Sequence, residues 1–137
     1  MNYPIELACI IDDDKIYVNL VKKIIEIKKL SHNLIIFKNG EEALNYFKPI
    51  LENMTEKKLP DIIFLDLNMP VMDGWEFLAE FVKIKNSFNK KIVLYVVSSS
   101  IDPRDLERAK TFGLVTDYLI KPIKLKEFES IFKRNSA

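Results

Sequence analysis

Four apolar residues, Ile62-Ile63-Phe64-Leu65, run without a break into one acid, Asp66. Such a run is long enough for a buried strand and too short for an independent helix. Pro70 forbids helical conformation at Met69, and Asp73-Gly74 is a turn signal, so a loop must separate Asp66 from a helix beginning near Trp75. The same arrangement recurs along the chain. Ile5 to Ile11, with Glu6 inside it, stops at Asp12-Asp13-Asp14, and Leu34 to Phe37 stops at Lys38-Asn39-Gly40. Ile92 to Val97 stops at Ser98-Ser99-Ser100, and the short run Tyr118-Leu119-Ile120 stops at Lys121-Pro122.

Between and after these runs the apolar residues follow helical spacing. Tyr17, Leu20, Val21, Ile24 and Ile25 form one face with Lys22, Lys23 and Glu26 opposite, and Asp14 suits the N-cap. Ala43, Leu44, Phe47, Ile50 and Leu51 mark a second helix that opens on Glu41-Glu42 and is expected to kink or end at Pro49. A polar connector from Asn53 to Pro60 follows it. Trp75, Leu78, Phe81 and Val82 mark a third helix fading at Lys85-Asn86-Ser87. Asp102-Pro103 is an N-cap and first-turn pair for a fourth, with its stop expected at Gly113. Leu125, Phe128, Ile131 and Phe132 mark the fifth. Ser31-His32-Asn33 reads as a loop with an exposed histidine, and Trp75 and the phenylalanines read as core.

Strands that alternate with helices require right-handed crossovers, hence a parallel sheet covered on both faces. The expectation is an α/β, doubly wound, five-stranded sheet with five helices, and 2-1-3-4-5 is the common strand order for such a set. At 137 residues this fills one domain, residues 1–137, with no room for an output domain.

Composition narrows the function. Hydrophobic residues make up 48% and charged residues 30%, which is that of a folded globular chain. With 21 basic against 20 acidic residues there is no footprint for nucleic acid or an anionic membrane. Cys9 sits among Leu7, Ala8, Ile10 and Ile11 and reads as a small buried hydrophobe. Gly40, Gly74 and Gly113 are the only glycines, so a glycine-rich nucleotide loop is absent. No signal peptide and no apolar run of about 18 residues is seen, so a cytoplasmic protein without membrane insertion is expected.

The chemistry lies at the carboxyl ends of the strands, where open α/β sheets place ligands. Asp12 and Asp13 end the first strand, Asp66 the third, Ser98 the fourth and Lys121 the fifth. In a doubly wound order the first and third strands are neighbours, so their acids converge. Carboxylates at close range repel unless a cation joins them, and hard oxygen ligands in few fixed positions suit Mg2+ that keeps several waters. A carboxylate beside Mg2+ is also a nucleophile toward phosphorus, giving an acyl phosphate. Lys121 offers a cation and Ser98 a hydroxyl to the transferred group.

Asp12-Asp13, Asp66 with Asn68, Met69, Pro70, Asp73 and Gly74, then Ser98 and Lys121-Pro122, together resemble a response-regulator receiver domain of two-component signalling. The resemblance runs from about Leu7 to Arg134 and implies a flavodoxin-like fold. It implies Asp66 as phosphoacceptor, Asp13 as a direct Mg2+ ligand, Asp12 acting largely through water, and Asn68 giving its backbone carbonyl to the metal. Ser98 stands at the switch hydroxyl, where the family more often has Thr, and Tyr118 at the aromatic switch. The Lys121-Pro122 bond is expected to be cis. The segment from Gly113 to Lys121 is one residue longer than in the chemotaxis-type receiver, so Tyr118 is placed by its distance from Lys121. The implied function is that of a stand-alone response regulator rather than a dedicated enzyme, one that catalyses only its own phosphorylation and dephosphorylation. Its partners would be a histidine kinase or histidine phosphotransfer protein and a downstream protein target.

Three other readings compete. A phosphoaspartate-forming, Mg2+-dependent phosphatase needs a general acid two residues after the nucleophile, where this chain has Asn68. A flavin protein of similar fold would meet an acid cluster where its phosphate should bind. A degenerate receiver serving as a scaffold would have no need of Asp13, Asp66 and Lys121 together.

Overall fold

The structure is a computed structural model that describes residues 4–53, 59–85 and 90–136. The elements alternate strictly: β1 (Ile5–Ile11), α1 (Lys15–Ile27), β2 (Ser31–Phe37), α2 (Gly40–Asn53), β3 (Ile62–Asp66), α3 (Gly74–Lys85), β4 (Val93–Ser98), α4 (Pro103–Lys110), β5 (Val115–Ile120) and α5 (Leu125–Arg134). All strand pairs are parallel, in the order β2-β1-β3-β4-β5. The expected doubly wound, flavodoxin-like architecture is therefore the one found.

Alternation along each central strand fills two cores. Cys9, Ile11, Ile63, Leu65, Leu94 and Val96 face α2 and α3, where Leu44, Phe47, Phe77 and Phe81 pack. Ala8, Ile10, Ile62, Phe64, Tyr95 and Val97 face α1 and α5, where Val21, Ile25, Phe128 and Phe132 pack. Burying both faces is what makes these strands read as unbroken apolar runs. All the strands then present their carboxyl ends on one side, which puts Asp12, Asp66, Ser98 and Lys121 along one edge.

Several local expectations are corrected. Pro49 does not end its helix: it lies inside α2, which continues to Asn53, because Ala43, Leu44, Phe47 and Ile50 are buried around it and packing outweighs one lost backbone bond. Leu20 is 56% exposed, and the core face of α1 is Val18, Val21 and Ile25. Apolar residues on nearly every side of that helix left its phase ambiguous. β2 begins at Ser31, with His32 and Asn33 inside it, since an edge strand can pair through Ser31 opposite Ile5 and still leave polar side chains in water. α4 ends at Lys110, capped by Thr111, and Gly113 has no positive φ. The helix stops early because Phe112 stacks on Trp75 and Leu114 turns into the core. Trp75 is half-buried between α3 and α4, with the Arg108 guanidinium 4.4 Å from its ring. The connector at 54–58 and the chain at 86–89 lie outside the described residues.

The strand that leads to Lys121 carries a local irregularity. Leu94 pairs with Val115 but Tyr95 with Asp117, so Thr116 is the additional residue of a bulge and both Thr116 and Asp117 face solvent. Beyond the bulge Tyr118 lies opposite Val96, and β5 is a full six residues.

At the opposite end of the sheet Asp61 ties three strands. Its Oδ2 accepts the Leu7 N–H at 3.0 Å, its own N–H donates to the Leu7 carbonyl at 2.9 Å, and its carbonyl accepts the Val93 N–H at 3.0 Å. Lys90 Nζ pairs with Oδ1 at 2.8 Å. Asp61→Ala removes the acceptor of an N–H held in the sheet, and is expected to lower stability by about 1–2 kcal/mol. The check is a urea midpoint that falls at unchanged slope.

Candidate functional site

Asp12 follows directly on β1, its N–H still donating to the Phe37 carbonyl at 2.9 Å, so the sheet itself fixes this carboxylate. It is 4% exposed, with Oδ1 accepting the Asp14 N–H at 3.0 Å and Oδ2 2.8 Å from Lys121 Nζ. Asp66 ends β3, is 6% exposed, and its Oδ1 stands 3.6 Å from the same ammonium. Asp13 is exposed beside them. A carboxylate oxygen from each of Asp12, Asp13 and Asp66 can be drawn so that all lie within 4.8 Å of one another.

Burial and mutual repulsion show in the acidities. Burial first, then the neighbouring Asp12 charge, pushes the Asp66 carboxyl up to about 6, against the pull of Lys121 and a hydrogen bond from the Asn68 backbone. Burial likewise raises Asp12, opposed by Lys121 and by the Asp14 N–H. Among the described residues, three acids against one contacting ammonium leave an excess of negative charge in a half-enclosed site. A hard divalent cation with few protein ligands fits this donor set, which is all oxygen and open on one side. Asp12 and Asp13 border a groove of about 660 Å3 that Lys15, Lys38 and Val71 help to line.

The loop after Asp66 is held by its backbone. The Gly74 N–H donates to the Leu67 carbonyl at 3.0 Å, and the Gly40 N–H to the Met72 carbonyl at 3.1 Å. Val71 has φ 71°, the left-handed region that a β-branched residue enters only when its surroundings hold it there. Asp73 then starts α3 by a reciprocal cap: its Oδ1 accepts the Glu76 N–H at 2.9 Å and its N–H donates to Glu76 Oε1 at 3.2 Å.

Ser98 is fully buried at the end of β4, one position beyond the Val97 that pairs with Asp66. Its carbonyl accepts the Lys121 N–H at 2.9 Å and its Oγ accepts the Ser100 N–H at 3.1 Å. The bond from Lys121 to Pro122 is cis. Tyr118 is half-buried, and its hydroxyl donates to the Ser100 carbonyl at 3.0 Å. Ser100 Oγ in turn donates to Asp105 on α4 at 2.7 Å. Asp12, Asp13, Asp66 and Lys121 are thus brought together directly, while Ser100 links Tyr118 to Ser98.

Two participants escaped the sequence. Ser100 read as one of three strand-end serines, yet it joins Ser98, Tyr118 and α4. Tyr17 read as part of a core face, yet its ring lies 4.4 Å from Lys121 Nζ. An aromatic in the first turn of the helix that follows the acids was the available signal.

A family model described as the response regulator receiver domain matches residues 8–133. The chain belongs to that family. Among curated relatives of this receiver domain, the response regulator Rcp1 of Synechocystis is 30% identical over 90% of the chain and 82% of Rcp1. The sensor histidine kinase CheAY of Helicobacter pylori is 32% identical over 91% of the chain, which spans only 14% of that kinase. A two-component response regulator from Cytophaga hutchinsonii superposes with a TM-score of 0.81 at 28% identity, covering 96% of both chains. A Mn2+-bound form of Rcp1 superposes at 0.71 with 27% identity over 94% of this chain and 90% of its own. Receiver domains accept phosphoryl groups from histidine kinases and are typically signalling modules. Among the described residues no helix is long and apolar enough to cross a membrane.

Proposed function

We propose that this receiver domain takes a phosphoryl group onto Asp66 in a Mg2+-dependent step and thereby switches a protein-binding surface. The donor is a phosphohistidine on a histidine kinase or a histidine phosphotransfer protein. The observation that carries this reading is the placement of Asp66 within reach of both Asp12 and Asp13 and of the Lys121 ammonium. An Asp66 oxygen forms the new bond to phosphorus as the phosphorus–nitrogen bond breaks, and the electron pair stays on the imidazole. Lys121 meets the charge on one equatorial oxygen, and the buried Ser98 hydroxyl, whose lone pair already accepts the Ser100 N–H, has its proton free for another.

Asp13 would hold Mg2+ directly, Asp66 would share it, Asp12 would act largely through water, and Asn68 would add its backbone carbonyl. When bound, the metal supplies positive charge to the phosphoryl oxygens. Any movement of Ser98 toward the new group is transmitted by Ser100, whose carbonyl holds Tyr118 and whose hydroxyl holds α4. That chain of contacts links the phosphate to the face made by α4, β5 and α5. The phosphatase alternative has no observation in its favour, since Asn68 transfers no proton.

The test is intact mass after incubation with Mg2+ and either acetyl phosphate or a phosphohistidine donor. One added phosphoryl group is expected, and none when EDTA is present. An unchanged mass with both donors would overturn the reading. Asp13→Ala is expected to abolish Mg2+ binding in a calorimetric titration, and unchanged affinity would remove Asp13 as a ligand.

A further inference from the structure

We propose that Tyr17 is a positioning residue for Lys121: its ring face holds the ammonium over Asp12 and Asp66, so that the charge stays in place when a divalent cation takes up the carboxylates. The inference rests on the phosphoacceptor reading above and adds to it a residue from α1.

The contacts close into a ring. Lys121 Nζ is 2.8 Å from Asp12 Oδ2 and 4.4 Å from the centre of the Tyr17 ring, and the lysine side chain is only 16% exposed. Asp12 Oδ1 accepts the Asp14 N–H at 3.0 Å. Asp14 Oδ1 accepts the N–H groups of Ile16 and Tyr17, both at 3.1 Å, and so caps α1 at the turn that carries the ring. The third acid of the triplet thus sets the helix, the helix sets the ring, and the ring sets the lysine beside the first acid.

The need for such a hold follows from charge. Without metal, Lys121 is drawn in by two carboxylates. A dication held by Asp13 and Asp66, and by Asp12 through water, offsets that attraction and repels the ammonium, whereas the negative face of an aromatic ring is not consumed by the metal. Lysine is a flexible, strongly hydrated cation, so without a shelf it would swing toward water. The attraction comes from the ring and not from the hydroxyl, so phenylalanine should replace tyrosine and leucine should not.

The experiment compares wild type, Tyr17→Phe and Tyr17→Leu, each alone and combined with Lys121→Met. Initial rates of Mg2+-dependent phosphorylation by acetyl phosphate are read by intact mass. NMR of the Lys121 Cε methylene, with Mg2+ and without phosphoryl donor, reads the ring contact directly. Tyr17→Leu is expected to slow phosphorylation about five- to thirty-fold, and Tyr17→Phe to stay within about two-fold of wild type. In the Lys121→Met background Tyr17→Leu should have no further effect. The methylene should be shifted upfield in wild type and Tyr17→Phe and lose that shift in Tyr17→Leu; Tyr17→Met serves if the leucine variant does not fold. A wild-type rate in Tyr17→Leu, equal slowing by Phe and Leu, equal slowing in the Lys121→Met background, or an unshifted methylene in the Mg2+-loaded wild type would each overturn the proposal. Should wild type accept no phosphate, the phosphoacceptor reading fails by itself, and the methylene shift still decides the contact.

Discussion

Asp66→Asn is expected to take up no phosphate and, in metal-free buffer at neutral pH, to melt at a higher temperature than the wild type. The first outcome follows from chemistry, since an amide oxygen is no match for a carboxylate as a nucleophile toward phosphorus. The second follows from the charge the fold imposes. The Asp66 carboxyl is raised from its usual 3.8 to about 6, first by burial and then by Asp12. A group bound more tightly to its proton in the folded state stabilises the fold below its unfolded pKa and loses that contribution as pH rises through the folded one. Wild type therefore gives up stability between about pH 4 and pH 6, and the asparagine variant does not. Water and Lys121 at the mouth of the site absorb part of the effect, which leaves about 1–2 kcal/mol, or about 3–8 °C in melting temperature. The advantage should vanish near pH 3.5 on that same linkage, at about the unfolded carboxyl range. It should shrink or reverse when Mg2+ is added, because the ion binds the folded wild type and relieves the repulsion. Calorimetric melts of both proteins across pH, with EDTA and with Mg2+, provide the check. Phosphate uptake by the variant equal to wild type would remove Asp66 as the acceptor, and a lower neutral melting temperature would show that its charge is not strained.

What the sequence disclosed and what it concealed divide along physical lines. A parallel sheet places every strand's carboxyl end on one side, so reading Asp12, Asp13, Asp66, Ser98 and Lys121 at strand ends was enough to bring them to one edge. That inference needs only topology, which apolar runs and caps specify. Asp14 and Asp102 were legible as N-caps for the same local reason, and both accept the expected N–H bonds. Questions of phase and space were not legible. α1 carries apolar residues at Ile16, Leu20 and Ile27 on its outer side as well as on its inner one, so periodicity could not choose Val18 over Leu20. Pro49 obeys its own rule until the burial of Phe47 and Ile50 outweighs it. The bulge at Thr116 depends on pairing with β4, which no local pattern records. Tyr17 illustrates the limit most plainly. Its helical spacing is plain in the sequence, whereas its contact with Lys121 arises from two elements far apart in sequence that meet only in the folded sheet.

Gly74→Ala is expected to damage the site more than the fold. A methyl group there would overlap the Asp66 carbonyl oxygen and lie 2.8 Å from Leu67 Cα and 3.0 Å from Leu67 Cδ2. The constraint is space and not conformation, because none of the described glycines has a positive φ. The nearest obstacles are backbone atoms, which cannot rotate away, so either α3 must lift or the end of β3 must move. Crowding of this kind costs about 1–3 kcal/mol. The first obstacle belongs to the proposed acceptor itself, however, and misplacing a reacting group by about 1 Å can cost about 100-fold in rate. The disturbance also travels outward, since Trp75 is the next residue and its ring packs on Phe112 and under Arg108 of α4. Gly113→Ala is the control, with no atom within 4 Å of the added methyl group. Urea unfolding and the initial rate of Mg2+-dependent phosphate uptake, measured on the folded protein, separate the two effects. The Gly113 variant should match wild type in both, and the Gly74 variant should be modestly destabilised and phosphorylated about 100-fold more slowly. Wild-type rate and stability in Gly74→Ala would mean that α3 does not press on the strand that carries Asp66.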